Sequence, residues 1–148
     1  MIDRRGFTLF ELIVAMALCA ILAAATLVGY RRMLAGWQLN AATRQVVMDL
    51  KLARARAMLG AATHRVRFIV PGRRYQHERR RPSSAYEALG PASTLPSGVE
   101  IVSCSGAGSA ISFRPRGHAA AFGTIALRNS DGERRSVVVD IVGRMRVQ

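Results

Sequence analysis

The chain has 148 residues, half of them apolar, which fits one modest domain and excludes a disordered chain. Because it has only two cysteines, it also cannot be a disulfide-stapled mini-domain. Its formal net charge of +13 favours an anionic neighbour such as nucleic acid, phospholipid headgroups or an acidic protein face, although an arginine-rich genome composition gives the same bias.

An uncharged apolar stretch covers residues 12–29, and only Glu11 interrupts it when it is extended back to Phe7. Since a bilayer core needs roughly 20 apolar helical residues, the stretch is long enough to span a membrane. The alternative is a cleaved secretory signal with its cleavage site in the small residues 23–25. A glutamate inside the apolar region and a helical pattern that continues past Tyr30 both argue against that alternative.

Residues 4–13, Arg-Arg-Gly-Phe-Thr-Leu-Phe-Glu-Leu-Ile, resemble the class III leader of type IV pilins and type II secretion pseudopilins. The resemblance implies that residues 1–6 are a leader peptide. It implies that a prepilin peptidase cuts between Gly6 and Phe7 and that the new amine of Phe7 is methylated. It also implies that Glu11 is the acidic residue at the fifth position of the mature chain.

A carboxylate in hydrocarbon needs a partner, and cleavage creates one in the α-ammonium group of Phe7. Phe7 and Glu11 stand at i and i+4, so they lie on the same helix face within one chain. The resemblance implies that Glu11 also meets the ammonium group of a neighbouring subunit and so sets the axial register of a filament. The alternative is that Glu11 only extends toward the cytoplasmic headgroups.

The helical signal continues beyond the apolar segment. We expect residues 7–30 to form a transmembrane and filament-core helix, and residues 31–60 to form its amphipathic extension, with Gly60 as the C-cap. A membrane anchor joined by a linker to an unrelated domain is the alternative. The expected apolar stripe of the extension consists of Leu34, Trp37, Leu39, Ala42, Val46, Val47, Leu50, Ala53, Ala57 and Met58.

Residues 61–148 change to a period of two and are expected to form an antiparallel β-rich domain. Short strands are predicted at 65–70, 75–77, 99–102, 111–113, 123–127 and 135–141. The segment 78–92 is predicted to be a long surface loop. Together with the helix, these strands predict an α+β protein of the type IV pilin-like fold, in which the long N-terminal helix packs against an antiparallel sheet domain.

Several motifs of this domain resemble the H-type pseudopilin and FimT-like minor pilin group. They are Leu95-Pro-Ser-Gly-Val99, Phe113-Arg-Pro-Arg-Gly117, Gly123-Thr-Ile125 and Gly143-Arg-Met-Arg-Val147. The resemblance implies a structural subunit of a type II secretion pseudopilus or a type IV pilus, with other pilins or pseudopilins as partners. It also implies a single pass through the bacterial inner membrane with the C-terminal domain in the periplasm, an orientation that arginines on both sides of the span do not settle.

The basic residues suggest a second function. Arginine clusters occur at 65/67, 73/74, 79–81, 114/116, 134/135 and 144/146. The resemblance implies DNA uptake, because FimT-like minor pilins with a C-terminal Gly-Arg-x-Arg take part in it, and Gly143, Arg144 and Arg146 fit that pattern. Two arginines two apart in a strand share one face, from which they can bind DNA phosphates. The alternative is an edge strand whose charge blocks aggregation.

No catalytic constellation is visible in the sequence, so we expect neither an enzyme nor a bound metal or cofactor. His64, His77 and His118 lack metal-ligand spacing, and each is expected at the surface or in a turn. Cys19 lies in the membrane helix and Cys104 is alone in the outer domain, which leaves a free thiol or an intermolecular bridge there.

Overall fold

The structure, a computed structural model, describes residues 8–148, with the exception of the side chains of residues 25–28. The chain divides into two compact units, Met1–Leu34 and Ala35–Gln148, and one long helix, α1 (Leu9–Leu59), crosses the boundary between them. Nine strands follow within the described part of the chain. They are β1 (His64–Phe68), β2 (Arg74–Arg80), β3 (Tyr86–Ala88), β4 (Ser93–Thr94), β5 (Val99–Cys104), β6 (Ala110–Phe113), β7 (Gly123–Asn129), β8 (Arg134–Val139) and β9 (Met145–Val147).

Thr8 caps the start of α1. Its hydroxyl oxygen accepts a hydrogen bond from the backbone N–H of Glu11 at 3.3 Å, and its carbonyl oxygen accepts one from the N–H of Leu12 at 3.2 Å. A threonine at the N-cap followed three residues later by a glutamate is the capping-box pattern. The structure shows the threonine half of this pattern, in which Thr8 caps the backbone N–H of Glu11.

The first unit contains the apolar half of α1. The most apolar 18-residue window of the helix has a mean hydropathy of 2.6, and the helix is long and apolar enough to cross a membrane. Leu9, Phe10 and Met16 leave most of their surface exposed in the chain by itself. Water would disfavour this arrangement, whereas lipid tails or the helices of neighbouring subunits would cover such side chains.

In the second unit, α1 buries one stripe against the sheets, as predicted. The buried residues recur every three or four positions: Ala35, Leu39, Ala42, Val46, Leu50, Ala53 and Ala57. Leu34, Trp37 and Met58 were also expected on this stripe, but they are 38 %, 64 % and 48 % exposed. The reason is the 100° rotation per residue, which places Trp37 about 200° around the helix from Leu39.

The strands form two antiparallel sheets. The first has the order β3-β2-β1-β6, with β4 also paired to β2, and the second has the order β5-β7-β8-β9. An isolated bridge between Gly72 and Ile101 links the β1–β2 connection to β5. The strand residues that face α1 are mostly aliphatic, with Tyr75 and Phe113 as the largest buried side chains. The predicted α+β fold, with a helix packed on antiparallel sheets, is confirmed.

The segment 78–92 is not one loop, so that prediction is wrong. Strand β2 continues through Arg80, and β3 pairs with it in the register Arg79↔Glu87. Glu78 is buried beneath Arg65 and Arg67, whose Nε atoms lie 2.5 and 3.0 Å from its carboxylate oxygens. These ion pairs let a strand carry a dense run of charges that resembles a loop in the sequence.

The end of α1 lies where the sequence predicts it. Gly60 follows the last helical residue, and its N–H still donates to the carbonyl oxygen of Arg56 at 2.9 Å. The residue with a left-handed backbone is Ala61, with a φ of 47°. Gly60 therefore stands at the expected C-cap position, and only the left-handed conformation falls on the next residue, Ala61.

Candidate nucleic-acid interface

The residues that the sequence singled out fall into separate parts of the chain. Gly6 and Phe7 lie outside the described residues. Glu11 is exposed on the first turn of α1, in the first compact unit. The residues of the C-terminal Gly-Arg-x-Arg, Gly143, Arg144 and Arg146, lie in the second unit. The leader and register residues are thus one candidate site, and the C-terminal arginines are another.

The C-terminal arginines stand on a tight β8–β9 turn at an edge of the second sheet. The N–H of Asp140 donates to the carbonyl oxygen of Arg144 at 2.9 Å, and the N–H of Gly143 donates to that of Asp140 at 2.8 Å. Arg144 and Arg146 are exposed, while Met145 between them packs against the core. The alternation places both guanidinium groups on the side of the chain away from the core, as predicted.

Gly143 fills a position that admits no side chain. Its φ of +82° is in the left-handed region, and a Cβ placed on it would lie 2.6 Å from the carbonyl oxygen of Gly117. The same atom would lie 3.0 and 3.1 Å from Nε and Cζ of Arg54. The glycine of the Gly-Arg-x-Arg pattern therefore allows the β8–β9 turn to approach another part of the domain.

That other part is a second arginine-bearing turn, which follows β6. The N–H of Gly117 donates to the carbonyl oxygen of Arg114 at 2.8 Å, and the N–H of Arg114 donates to that of His118 at 2.9 Å. Arg114 and Arg116 are exposed. The turn is tied to the β8–β9 turn through the N–H of Ala119, which donates to the carbonyl oxygen of Ile141 at 2.9 Å.

Arg54, on α1, connects both turns. Its Nε donates to the carbonyl oxygen of Gly117 at 2.8 Å, its Nη1 to that of Gly143 at 3.0 Å, and its Nη2 to that of Val142 at 3.4 Å. In the sequence, little distinguishes this arginine from the other polar residues of the predicted amphipathic helix. Its spacing of four from the buried Leu50 was the available signal, because that spacing puts Arg54 beside the buried stripe.

Two of the other four arginine clusters, 65/67 and 79–81, are paired with acids. Arg65 and Arg67 share Glu78, and Arg79 and Arg81 share Glu87, with the Arg81 Nη2 2.7 Å from a Glu87 oxygen. Hydrogen bonds from Arg81 lower the pKa of the Glu87 carboxyl group. Among residues 8–148, no acid forms an ion pair with the four arginines of the two turns: Arg114, Arg116, Arg144 and Arg146. The two turns therefore form an unneutralised basic surface.

Two of the three histidines are buried, which corrects their expected surface position. His77 faces α1 with its Nε2 3.4 Å from Oδ1 of Asp49, and the hydroxyl group of Tyr75 donates to Asp49. Burial, followed by the hydrogen bond to Asp49, raises the pKa of Tyr75. His64 is buried near the end of α1, where burial and the charges of neighbouring arginines lower its pKa.

His118 is exposed, as predicted. Neither cysteine forms a disulfide within the chain, and burial raises the pKa of the half-buried Cys104 thiol, which favours its protonated form. Among residues 8–148 no group of three or more His, Cys, Asp or Glu could hold a metal ion.

Comparisons with solved structures show the fold. The minor pseudopilin EpsH from the type 2 secretion system of Vibrio cholerae is 16 % identical, with a TM-score of 0.62 over 75 % of this chain and 96 % of that one. The type IV minor pilin FimU of Pseudomonas aeruginosa is also 16 % identical, with a TM-score of 0.60 over 74 % of this chain and 87 % of that one. A comparison with curated proteins found no match.

Two family models match consecutive parts of the sequence. The prokaryotic N-terminal methylation motif matches residues 1–27, and the type II transport protein GspH model matches residues 42–143. The first match covers the leader and the apolar half of α1, and the second covers most of the compact unit that carries the two arginine turns. Because the second match covers more than half of the 148 residues, the chain belongs to the type II transport protein GspH family.

Proposed function

We propose that the chain is an inner-membrane filament subunit that is cleaved after Gly6, methylated on Phe7 and built into a pilus or pseudopilus. Family membership makes it a minor pseudopilin or minor pilin. The observation that carries the proposal is the continuity of α1. One helix contains the membrane-length apolar segment of the methylation motif and the stripe that packs on the GspH-type sheets.

The proposal places the N-terminus in the cytoplasm and the second compact unit, Ala35–Gln148, in the periplasm. In the bilayer, the apolar half of α1 anchors the subunit. In the filament, the same exposed side chains pack against the helices of neighbouring subunits. A structural subunit needs no catalytic group for either role.

Processing tests this proposal directly. The full chain is expressed together with a prepilin peptidase, extracted from membranes and analysed by intact mass and N-terminal sequencing. We expect a mature chain that begins at N-methylated Phe7. Gly6→Phe, which puts a bulky residue before the cut, is the matched control and should remain uncleaved in the membrane. A mature chain that begins after Ala25 would instead support a secretory signal and refute the filament proposal.

DNA binding by the C-terminal Gly-Arg-x-Arg is the second candidate function. The favouring observation is that Arg144, which precedes β9, and Arg146, which lies in it, are both exposed without an acidic partner among the described residues. Guanidinium groups in this position can donate forked hydrogen bonds to phosphate oxygens. Because no helix of the second unit is free to enter a groove, we expect contacts to the backbone of DNA and no sequence preference.

Salt dependence tests the second candidate. The full chain in zwitterionic detergent should bind a labelled mixed-sequence duplex, and the logarithm of its affinity should fall linearly with the logarithm of salt concentration. Replacing Arg144 and Arg146 with Ala should flatten this slope by roughly 2 units. The matched control replaces Arg134 and Arg135, which carry the same charge at the opposite end of β8. Equal losses in the two variants would mean that only net charge matters.

A further inference from the structure

In each of the two arginine turns, an arginine pair lies next to a glycine with a left-handed backbone, which the sequence alone does not reveal. Arg114 and Arg116 precede a left-handed glycine, Gly117, while Arg144 and Arg146 follow another, Gly143. The two glycines lie close together, because the carbonyl oxygen of Gly117 is only 2.6 Å from the position that a Cβ of Gly143 would take. The contact between Gly117 and Gly143 therefore places two arginine pairs side by side, although they lie far apart in the sequence.

This contact brings several backbone carbonyl oxygens close together. Their partial negative charges would repel one another and would also repel a bound anion. The carbonyl oxygens of Gly117, Val142 and Gly143 all accept hydrogen bonds from Arg54. Without a cation, three converging carbonyl dipoles would create a negative potential beneath the arginines and push the turns apart. The Arg54 guanidinium neutralises that potential, and its planar fork fixes the turns at the same time.

We propose that the turns carrying Arg114/Arg116 and Arg144/Arg146 form one composite surface for nucleic-acid phosphates, and that Arg54 is its positioning residue. This inference rests on the second candidate function, DNA binding. Arg54 itself uses its donors on carbonyl oxygens and remains half-buried, so it acts through the two turns. Four guanidinium groups on adjacent turns can contact more phosphates than one pair, and pre-positioned side chains lose less conformational entropy on binding.

Arg54→Lys tests the positioning role, because it keeps the charge and removes the planar fork. The full chain in zwitterionic detergent is titrated with the labelled duplex at several salt concentrations. We expect Arg54→Lys to flatten the salt slope by at least about 1 unit and to weaken binding roughly tenfold at physiological salt. Replacing Arg114 and Arg116 with Ala should flatten the slope by roughly 2 units, as for Arg144 and Arg146.

A coupling experiment separates positioning from a general structural effect. In a chain that already lacks the arginines at 114, 116, 144 and 146, Arg54→Lys should have no further effect on residual binding. Circular dichroism of the chain and amide hydrogen exchange of β7 should match the wild type, because the hydrogen-bond partners of Arg54 all lie outside that strand. If Arg54→Lys disrupts the fold, the Arg114/Arg116 variant still decides the composite surface, since both side chains are exposed.

Different experimental results would refute the composite surface, the DNA-binding function and the filament role. If the wild type does not bind duplex at low salt, both the DNA-binding function and the composite surface are refuted. If Arg144 and Arg146 matter but Arg54→Lys and the Arg114/Arg116 variant leave the slope unchanged, the composite surface alone is refuted. Neither outcome affects processing after Gly6, which tests the filament role independently.

Discussion

Gly143 has a left-handed backbone, and it also lies so close to neighbouring atoms that a methyl group would not fit. We expect Gly143→Ala to lower the free energy of unfolding by about 2–4 kcal/mol, through backbone strain and a clash with Gly117 and Arg54. Gly132→Ala is the matched control. Its φ of +87° imposes similar strain, but no atom lies within 4 Å of its added Cβ, so it should cost only about 1–2 kcal/mol.

Urea unfolding of the full chain in detergent, followed by circular dichroism, measures both variants. A Gly143→Ala variant no less stable than Gly132→Ala would mean that the two turns relax apart easily. In that case, close approach of the β8–β9 turn would not explain the glycine. The comparison therefore tests the contact itself, independently of any bound nucleic acid.

The exposed arginines of the two turns were easier to predict from the sequence than the residue that positions those turns. Arg144 and Arg146 were recognised from a local pattern, and their exposure confirms the geometric part of that prediction. Arg54 was missed, because its hydrogen-bond partners Gly117 and Gly143 are 63 and 89 residues away. A single sequence without a fold cannot reveal which distant carbonyl groups converge on one guanidinium group.

Among the secondary-structure elements, α1 stabilises the two sheets through its buried stripe, which packs against their apolar side chains. Leu50 is fully buried on this stripe, and we expect Leu50→Ala to lower the free energy of unfolding by about 2–5 kcal/mol, as cavity-forming substitutions do. Trp37 was also predicted on the stripe but lies on the opposite face. Trp37→Ala should therefore change the free energy of unfolding by only about 0.5 kcal/mol.

The same urea unfolding experiment measures these helix variants. If Trp37→Ala destabilised the isolated chain as much as Leu50→Ala, the sequence assignment of the stripe would be right and the observed helix rotation wrong. If only Leu50→Ala is destabilising, Trp37 does not contribute to the core of the monomer and is available for contacts with other molecules.

The helix and the period-two strands were predictable because their apolar residues repeat at the spacing of the element. Strand β7 is the clearest case, since every second residue from Gly123 to Asn129 is buried. The charged end of β2 and all of β3 were missed. Their alternation depends on cross-strand ion pairs such as Arg79 with Glu87, and these pairs exist only once the strands are aligned.

At the scale of the whole molecule, Glu11 has two possible structural roles that the sequence does not distinguish. One is the expected partnership with a neighbouring Phe7 ammonium group, which would set the filament register. The other is to complete a capping box, in which its carboxylate would accept a hydrogen bond from the backbone N–H of Thr8 and help to start α1. Glutamine retains the capping ability of glutamate but carries no charge, so the two roles make opposite predictions for Glu11→Gln.

We expect Glu11→Ala and Glu11→Gln to insert into the membrane at least as well as the wild type, because a costly charge is removed. Both should enter sheared filaments more than about tenfold less, since an unpaired buried ammonium group costs about 3–5 kcal/mol. Thr8→Ala, which removes the cap and keeps the charge, should assemble nearly normally. Immunoblots of membrane and sheared-filament fractions measure both steps. Normal assembly of Glu11→Gln together with loss in Thr8→Ala would assign Glu11 to the helix start and refute its register role.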